Sequence, residues 1–422
     1  MIHPGSISGS VQAPPSKSIT QRAYAMALLH KGQTTIHYPG ESDDERAALD
    51  AAMMLGLKIL NRNEHNITLS SAGLAPASDT IDCGESGLAA RLFTPIAAIA
   101  NMPLTVTGHG SLTSRAMPMF RDALGALGVS VSNFNGYLPI TVQGPLQSTD
   151  VTVDASSGSQ FLSGLLLALA HSATKPLTIT VHKLKSKPYI DLTLDMLART
   201  GRPVVHTNYE TFRIDPSTFK VQDTLDIDVE GDWSGAANLL VAGAINGSVT
   251  VTHLNPRSPQ ADRAILDVLV HAGANLQIIG NTITANCTAL KGIEFDATHC
   301  PDLFPILAIL AANAKGNSRI EGLHRLYNKE SNRANSIAQM LQGFGVSFNI
   351  EDDVLSIEGG SQLSGAVIDP QNDHRLVMAA AVGALNAAGP VEIVNAQSVN
   401  KSYPGFFNAL SLCSVNCTIY GS

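Results

Sequence analysis

A glycine recurs about every 72 positions along this 422-residue chain, each time between an apolar helix end and an alternating strand. The positions are Gly56, Gly128, Gly201, Gly273 and Gly345, with Ser414 in the sixth place, and the spacings are 72, 73, 72, 72 and 69. The residue just past a helix C-terminus commonly adopts the left-handed conformation, which glycine enters without a Cβ penalty. A second marker keeps the same period. β-rich segments centre on Ile36, Val106, Ile179, Val251, Ile320 and Ile393, spaced by 70, 73, 72, 69 and 73. Two unrelated markers with one period define six repeats, and finding the period first decides the whole fold.

Each unit reads helix, strand, helix, strand, often with one more strand (67–69, 140–142, 354–357). The first helices, at 22–30, 91–100, 160–171 and 375–388, are apolar almost all round, so they are expected to be buried. The order of elements makes the class α/β or α+β. The sixth unit ends at Ser422 short of a strand, and segment 6–11 is expected to complete it and close the chain on itself. Ala13-Pro14-Pro15 is then one hinge and 226–231 the other. The expected domains are 1–14 plus 229–422, and 15–228, with three units each.

Composition narrows the function. Charged residues are 15% of the chain, against about 25% in globular proteins, and apolar residues are 44%. Disorder, coiled coil, collagen and a disulfide scaffold are excluded. The net charge of −8 argues against nucleic-acid binding, which needs a basic face. Apolar stretches run to about ten residues, too few for a membrane span of about 18 or more. Five cysteines without a CxxC pair, and no signal-like N-terminus, lead us to expect reduced thiols and a cytoplasmic enzyme.

Each buried helix is preceded or opened by a polar cluster. These are Ser16-Lys17-Ser18 with Arg22, Gly84-Glu85-Ser86-Gly87 with Arg91, Ser157-Gly158-Ser159-Gln160, Trp233-Ser234-Gly235, Pro301-Asp302, and Asn372-Asp373-His374-Arg375. Helix N-termini present free N–H groups and the positive dipole end, so they attract anions. Ordinary capping accounts for Ser234 or Asp302 taken alone. It does not account for Lys17, Arg22, Arg91 and Arg375, since cations do not cap N-termini. A small ligand with several negative charges accounts for them better.

In combination and in order, several motifs resemble the 5-enolpyruvylshikimate-3-phosphate synthase (3-phosphoshikimate 1-carboxyvinyltransferase) family of enolpyruvyl transferases. They are Pro15-Ser16-Lys17-Ser18 with Arg22, Ser186-Lys187-Pro188-Tyr189-Ile190-Asp191, Lys329-Glu330-Ser331-Asn332-Arg333, Asn372-Asp373-His374-Arg375, and Lys401. The resemblance runs from residue 11 to about 407. It implies two domains of three βαβαββ units with buried parallel helices and an active site in the cleft between them. It also implies a shikimate-pathway transferase that moves the enolpyruvyl group of phosphoenolpyruvate to the 5-hydroxyl of shikimate 3-phosphate, releasing phosphate, in aromatic amino acid biosynthesis.

Carried over, the resemblance places shikimate 3-phosphate on Lys17, Ser18, Arg22, Ser159, Gln160, Ser186, Tyr189, Asp302 and Lys329. It places phosphoenolpyruvate on Lys17, Gly87, Arg115, Gln160, Arg333, Arg375 and Lys401. Asp302 would act as base, and Lys17 and Glu330 are candidates to protonate the methylene carbon. No cofactor or metal is expected, because the cations would supply the charge stabilisation. The partners expected are the two small substrates, with a monomeric chain and no nucleic acid or membrane. The sequence departs from the family at Glu85, which sets an acid beside an anion site, and at Leu88, Leu92, Ala116 and Gly158. A related UDP-N-acetylglucosamine enolpyruvyl transferase would carry a cysteine in the loop 108–118, which has none. A six-unit DNA clamp would have no use for cations at buried helix starts.

Overall fold

The computed structural model describes residues 1–420. The chain forms two compact units, one of Met1–Pro14 with Glu230–Ser422 and the other of Pro15–Val229. The second crossing falls one residue later than expected, because the Val229 N–H donates to the His37 carbonyl and stays with the inserted unit.

Three four-stranded sheets make up the unit Pro15–Val229. In each, a parallel pair is extended by an antiparallel hairpin. Thr224–Asp228 runs parallel to Gly32–His37, Thr80–Asp82 to Leu104–Thr107, and Val151–Asp154 to Leu177–His182. Three helices, Lys17–Leu29, Gly87–Ala97 and Gln160–Ser172, fill the interior. Every residue of Gly87–Ala97 is buried, which a helix apolar on all sides requires. The second helix of each repeat, such as Asp43–Met54, buries one face only.

The other unit repeats the plan with helices Trp233–Asn246, Phe304–Asn313 and His374–Ala384. It has two four-stranded sheets and one reduced, two-stranded parallel sheet of Val367–Ile368 and Glu392–Ile393. Here the structure differs from the sequence expectation. Strand Ile7–Gln12 does not complete the sixth repeat; it pairs in parallel with Gly247–Thr252 of the fourth, Ile7 opposite Gly247 and Gln12 opposite Thr252. Each repeat begins with a strand that pairs parallel to the one after its buried helix. The fourth repeat takes that strand from the N-terminus, and the first takes it from Thr224–Asp228. The N-terminus still meets the sixth repeat: Ile2 bridges Val391 and Cys417, and the His3, Gly5 and Ser8 N–H groups donate to the Asn416, Leu385 and Cys413 carbonyls.

The repeat marker has the conformation inferred for it. Gly56, Gly128, Gly201, Gly273 and Gly345 have φ between 73° and 116°, and Ser414 has φ 66°. Five of the six markers are glycine because that region penalises a Cβ.

Candidate active site

In the unit Pro15–Val229 the three buried helices present their N-termini to one another. Ser86, the N-cap of Gly87–Ala97, accepts the Ala89 N–H at 3.2 Å and donates its hydroxyl to Gln21 Oε1 of the first helix at 3.1 Å. Arg91 Nη1 donates to the Gly87 carbonyl at 2.9 Å and to Gln160 Oε1 of the third helix at 3.3 Å. Arg22, 1% exposed, joins first to third. Its Nε donates to Thr193 Oγ1 (2.9 Å), its Nη1 to the Ser18 carbonyl (2.9 Å), and its Nη2 to Ser163 Oγ (3.1 Å) and the Tyr189 carbonyl (3.3 Å). All four acceptors are neutral, so the guanidinium is buried without a carboxylate, and burial pulls its pKa down to about 10. Four of the five guanidinium N–H groups are used, which leaves one on Nη1.

Lys17 opens the first helix and donates Nζ to Asp44 Oδ2 at 2.7 Å. Asp44 is held there by the capping box of the next helix, in which Ser42 and Glu45 bond reciprocally. Ser159 is the N-cap residue of Gln160–Ser172, and Ser186, with φ 55° and ψ 48°, is that of Lys187–Arg199. Tyr189 lies in that first turn, its N–H on the Ser186 carbonyl. Arg115 follows the 3-10 turn Gly110–Ser114. A Cβ on Gly87 would lie 2.7 Å from both Arg115 Nη1 and Arg91 Nη1, so two guanidinium groups stand over one helix N-terminus.

The other unit holds a different arrangement. Asp302, in the turn Pro301–Leu303 ahead of Phe304–Asn313, accepts from three cations: Arg333 Nη1 at 2.7 Å, Arg375 Nη2 at 3.0 Å and Lys329 Nζ at 3.2 Å. Arg333, fully buried, also donates Nη2 to Glu330 at 2.5 Å and Nε to Asp373 at 2.8 Å. Asp373 is in turn the N-cap of His374–Ala384, where it accepts the Arg375 N–H at 3.0 Å. Lys401, at the end of the turn Ala396–Lys401, donates Nζ to the Asn372 carbonyl at 3.0 Å. The cations near these helix starts are therefore met by Asp302, Glu330 and Asp373, within the chain itself. Sequence reasoning ascribed Lys17 and Arg375 to an anionic ligand, and each also has a carboxylate partner within the chain, Asp44 and Asp302. Arg22 differs from them in that its described acceptors are all neutral.

Burial alone would raise the Asp302 pKa, but Arg375, Lys329 and Arg333 outweigh it and hold the carboxyl well below the usual range. Lys329 is pulled down, because burial exceeds the attraction of Asp302. Nearby Asp262, fully buried, accepts the Ser234 hydroxyl through Oδ2, while Oδ1 has no partner. Burial and then the Asp302 charge push its pKa up to about 7. A carboxyl raised on folding weakens the fold as pH climbs from about 4 towards 7, since the folded chain then holds a proton the unfolded chain has lost. Asp262→Asn should therefore raise the melting temperature at pH 8 by on the order of a few degrees and much less at pH 5. Thermal melts at the two pH values check this.

Asp44, Asp262 and Asp373 were not singled out as site residues from sequence, because each stands where a helix start or polar turn explains it. Arg91 was counted among the cations suited to an anionic ligand but assigned to neither substrate. Among the described residues the one set of donors grouped closely enough for a metal is His37, Asp226 and Asp228, within 4.8 Å of one another. There His37 Nε2 pairs with Asp226 Oδ1 at 2.5 Å and Nδ1 with Asn66 Oδ1 at 2.6 Å, which clips neighbouring strands together.

Six helix-strand repeats in two units, with cations and carboxylates gathered at buried helix starts, define the enolpyruvyl transferase class. The sequence model of the EPSP synthase (3-phosphoshikimate 1-carboxyvinyltransferase) family matches residues 2–410, and the chain belongs to that family. Among curated relatives, the 3-phosphoshikimate 1-carboxyvinyltransferase of Clostridium novyi is 35% identical over 415 residues, covering 96% of this chain and 95% of that protein. The enzyme of the same name from Thermococcus kodakarensis is 38% identical over 404 residues, with 96% and 97% covered. A solved EPSP synthase from Acinetobacter baumannii superposes with a TM-score of 0.82 at 25% identity, covering 99% of both chains. The enolpyruvyl transferase NikO from Streptomyces tendae shares the fold, with a TM-score of 0.76 at 17% identity. No helix among the described residues is long and apolar enough to cross a membrane.

Proposed function

We infer that the chain catalyses transfer of the enolpyruvyl group of phosphoenolpyruvate to the 5-hydroxyl of shikimate 3-phosphate, in the shikimate pathway. The observation that carries the residue roles is the Asp302 carboxylate held among Arg333, Arg375 and Lys329. It combines a base with the cations that two phosphorylated carboxylic acids need.

In this reading Ser18, Arg22, Ser159, Gln160, Ser186, Tyr189 and Lys329 bind shikimate 3-phosphate. Lys17, Gly87, Arg115, Gln160, Arg333, Arg375 and Lys401 bind phosphoenolpyruvate. The arginines suit this task because a planar fork pairs bidentately with carboxylate and phosphate. Arg22 has one N–H left for a ligand, so much of its role is to hold Ser18 and the Tyr189 turn in place. Asp302 takes the proton of the 5-hydroxyl as that oxygen bonds to C2 of phosphoenolpyruvate. Lys17 or Glu330 delivers a proton to C3, giving a methyl group and a tetrahedral intermediate. Loss of a methyl proton then restores the double bond as the C–O bond to phosphate breaks.

The chain is taken to act as a monomer in the cytoplasm, and sedimentation velocity reads the first part. The main test is phosphate release with both substrates. Release that needs shikimate 3-phosphate and phosphoenolpyruvate together supports the reading; no release from folded protein overturns it.

A further inference from the structure

The sequence left Glu85 unexplained, as an acid one residue before the N-cap of Gly87–Ala97, where two arginines gather. The structure gives it specific partners. Glu85 Oε2 accepts the Ser111 N–H at 3.1 Å and the Ser111 hydroxyl at 3.3 Å. Ser111 Oγ in turn accepts Arg115 Nη2 at 3.3 Å. The hydroxyl can serve both ways, donating its one hydrogen to the carboxylate and offering a lone pair to the guanidinium. A continuous link therefore runs from Glu85 through Ser111 to Arg115.

The loop around Ser111 is seated closely on the segment that carries Glu85. The His109 N–H donates to the Gly84 carbonyl at 2.9 Å. Gly110 has φ +56°, and a Cβ there would lie 2.4 Å from the Glu85 carboxyl carbon. A side chain at that position would displace the Glu85 carboxylate, and the positive φ also favours glycine.

The link answers an electrostatic difficulty. Arg115 and Arg91 both reach the space over Gly87 at a helix N-terminus, where like charges repel and the dipole disfavours cations. Arg115 is buried, and a side chain already ordered has less conformational freedom to lose when an anion binds. Glu85 supplies a negative charge and an acceptor behind the loop, without occupying the space over Gly87.

We propose that Glu85 is a positioning residue for phosphoenolpyruvate: through Ser111 it holds Arg115 beside Arg91 over Gly87, so that the anion meets a preformed pair of cations. The proposal rests on Arg115 belonging to the phosphoenolpyruvate site. Its signature is a selective loss of affinity for that one substrate, with the chemical step largely kept.

The experiment is steady-state kinetics on wild type, Glu85→Ala, Glu85→Gln, Ser111→Ala, Arg115→Ala and the double variant Glu85→Ala with Ser111→Ala. Loss of a charge-assisted link should raise KM for phosphoenolpyruvate about tenfold in Glu85→Ala, with kcat and KM for shikimate 3-phosphate within about threefold of wild type. Glu85→Gln, whose Oε1 can still accept from Ser111, should recover most of that loss. Ser111→Ala should raise KM for phosphoenolpyruvate about threefold alone and add nothing to Glu85→Ala, as members of one chain do. The proposal is overturned if Glu85→Ala leaves KM for phosphoenolpyruvate unchanged, if it raises both KM values alike, or if the two variants' effects multiply. If Glu85→Ala does not fold, Ser111→Ala alone decides by the same selectivity. Arg115→Ala separates the levels. If it leaves KM for phosphoenolpyruvate unchanged, the assignment of Arg115 to that site is wrong. If it raises that KM and Glu85→Ala does not, this proposal alone fails.

Discussion

Asp302→Asn lowers kcat for phosphate release by roughly 10³-fold while KM for shikimate 3-phosphate changes by a few-fold at most, as expected when a general base worth about 10²–10⁴ is removed. The amide still accepts hydrogen bonds but cannot take the proton of the 5-hydroxyl. In the structure described here, Asp302 is a poor base, because Arg375, Lys329 and Arg333 hold its carboxyl well below the usual range. That weakness has a physical remedy in the proposed complex. The phosphates and carboxylates of the two substrates compete for the same three cations, and each bond they take weakens the hold on Asp302. Its basicity rises as the substrates bind, so proton abstraction is coupled to occupancy. If Asp302 only positioned shikimate 3-phosphate, the Asn variant would instead raise KM for that substrate and leave kcat near wild type. Steady-state kinetics with each substrate varied in turn separates the two outcomes.

The fold was legible to an unusual degree because one backbone requirement repeats. A helix ending in the left-handed conformation calls for glycine, and Gly56, Gly128, Gly201, Gly273 and Gly345 mark it in five of six repeats. What the pattern could not carry was partner choice. Ile7–Gln12 looks equally able to pair with any repeat that lacks a first strand, and its parallel register with Gly247–Thr252 is set in three dimensions. Positions at the candidate site were legible for a related reason. A cation such as Lys17 or Arg375 at a buried helix start breaks a local rule and stands out. Asp44, Asp262 and Asp373 obey local rules: an acid in the first turn, in a polar turn or at an N-cap needs no further reason. Their bonds to Lys17, Ser234 and Arg333 span 27, 28 and 40 positions. Glu85 did stand out, yet its explanation lay 26 residues away at Ser111.

Arg333 is where removal should cost the fold most. Its guanidinium, fully buried, is bonded at once to Asp302, Glu330 and Asp373, and Asp373 is itself fully buried. Arg333→Met keeps the bulk and takes the shared cation from Glu330 and Asp373, while Asp302 keeps Arg375 and Lys329. Breaking a buried pair by removing one partner typically costs about 3–5 kcal/mol, because the remaining charge stays out of water without compensation. The size of the loss should depend on pH, with a sign fixed by the acids. In wild type the cations hold Asp302 low, so its contribution is present above the unfolded carboxyl range near pH 4 and fades only as pH falls through the depressed folded value. In the variant the carboxylates that lose Arg333 are charged and buried without that partner, and the cost of keeping them ionised grows as pH rises. Arg333→Met should therefore be least damaging near pH 5 and most damaging near pH 8. Trp233, the single tryptophan, is fully buried in the same unit and donates Nε1 to the Asn255 carbonyl, so its emission reports the unfolding directly. Denaturant titrations followed by that emission should show a wild-type–variant gap that widens from pH 5 to pH 8. A gap that stays constant or narrows would mean that Arg333 serves the fold mainly by packing, and that its carboxylates find water when it is gone.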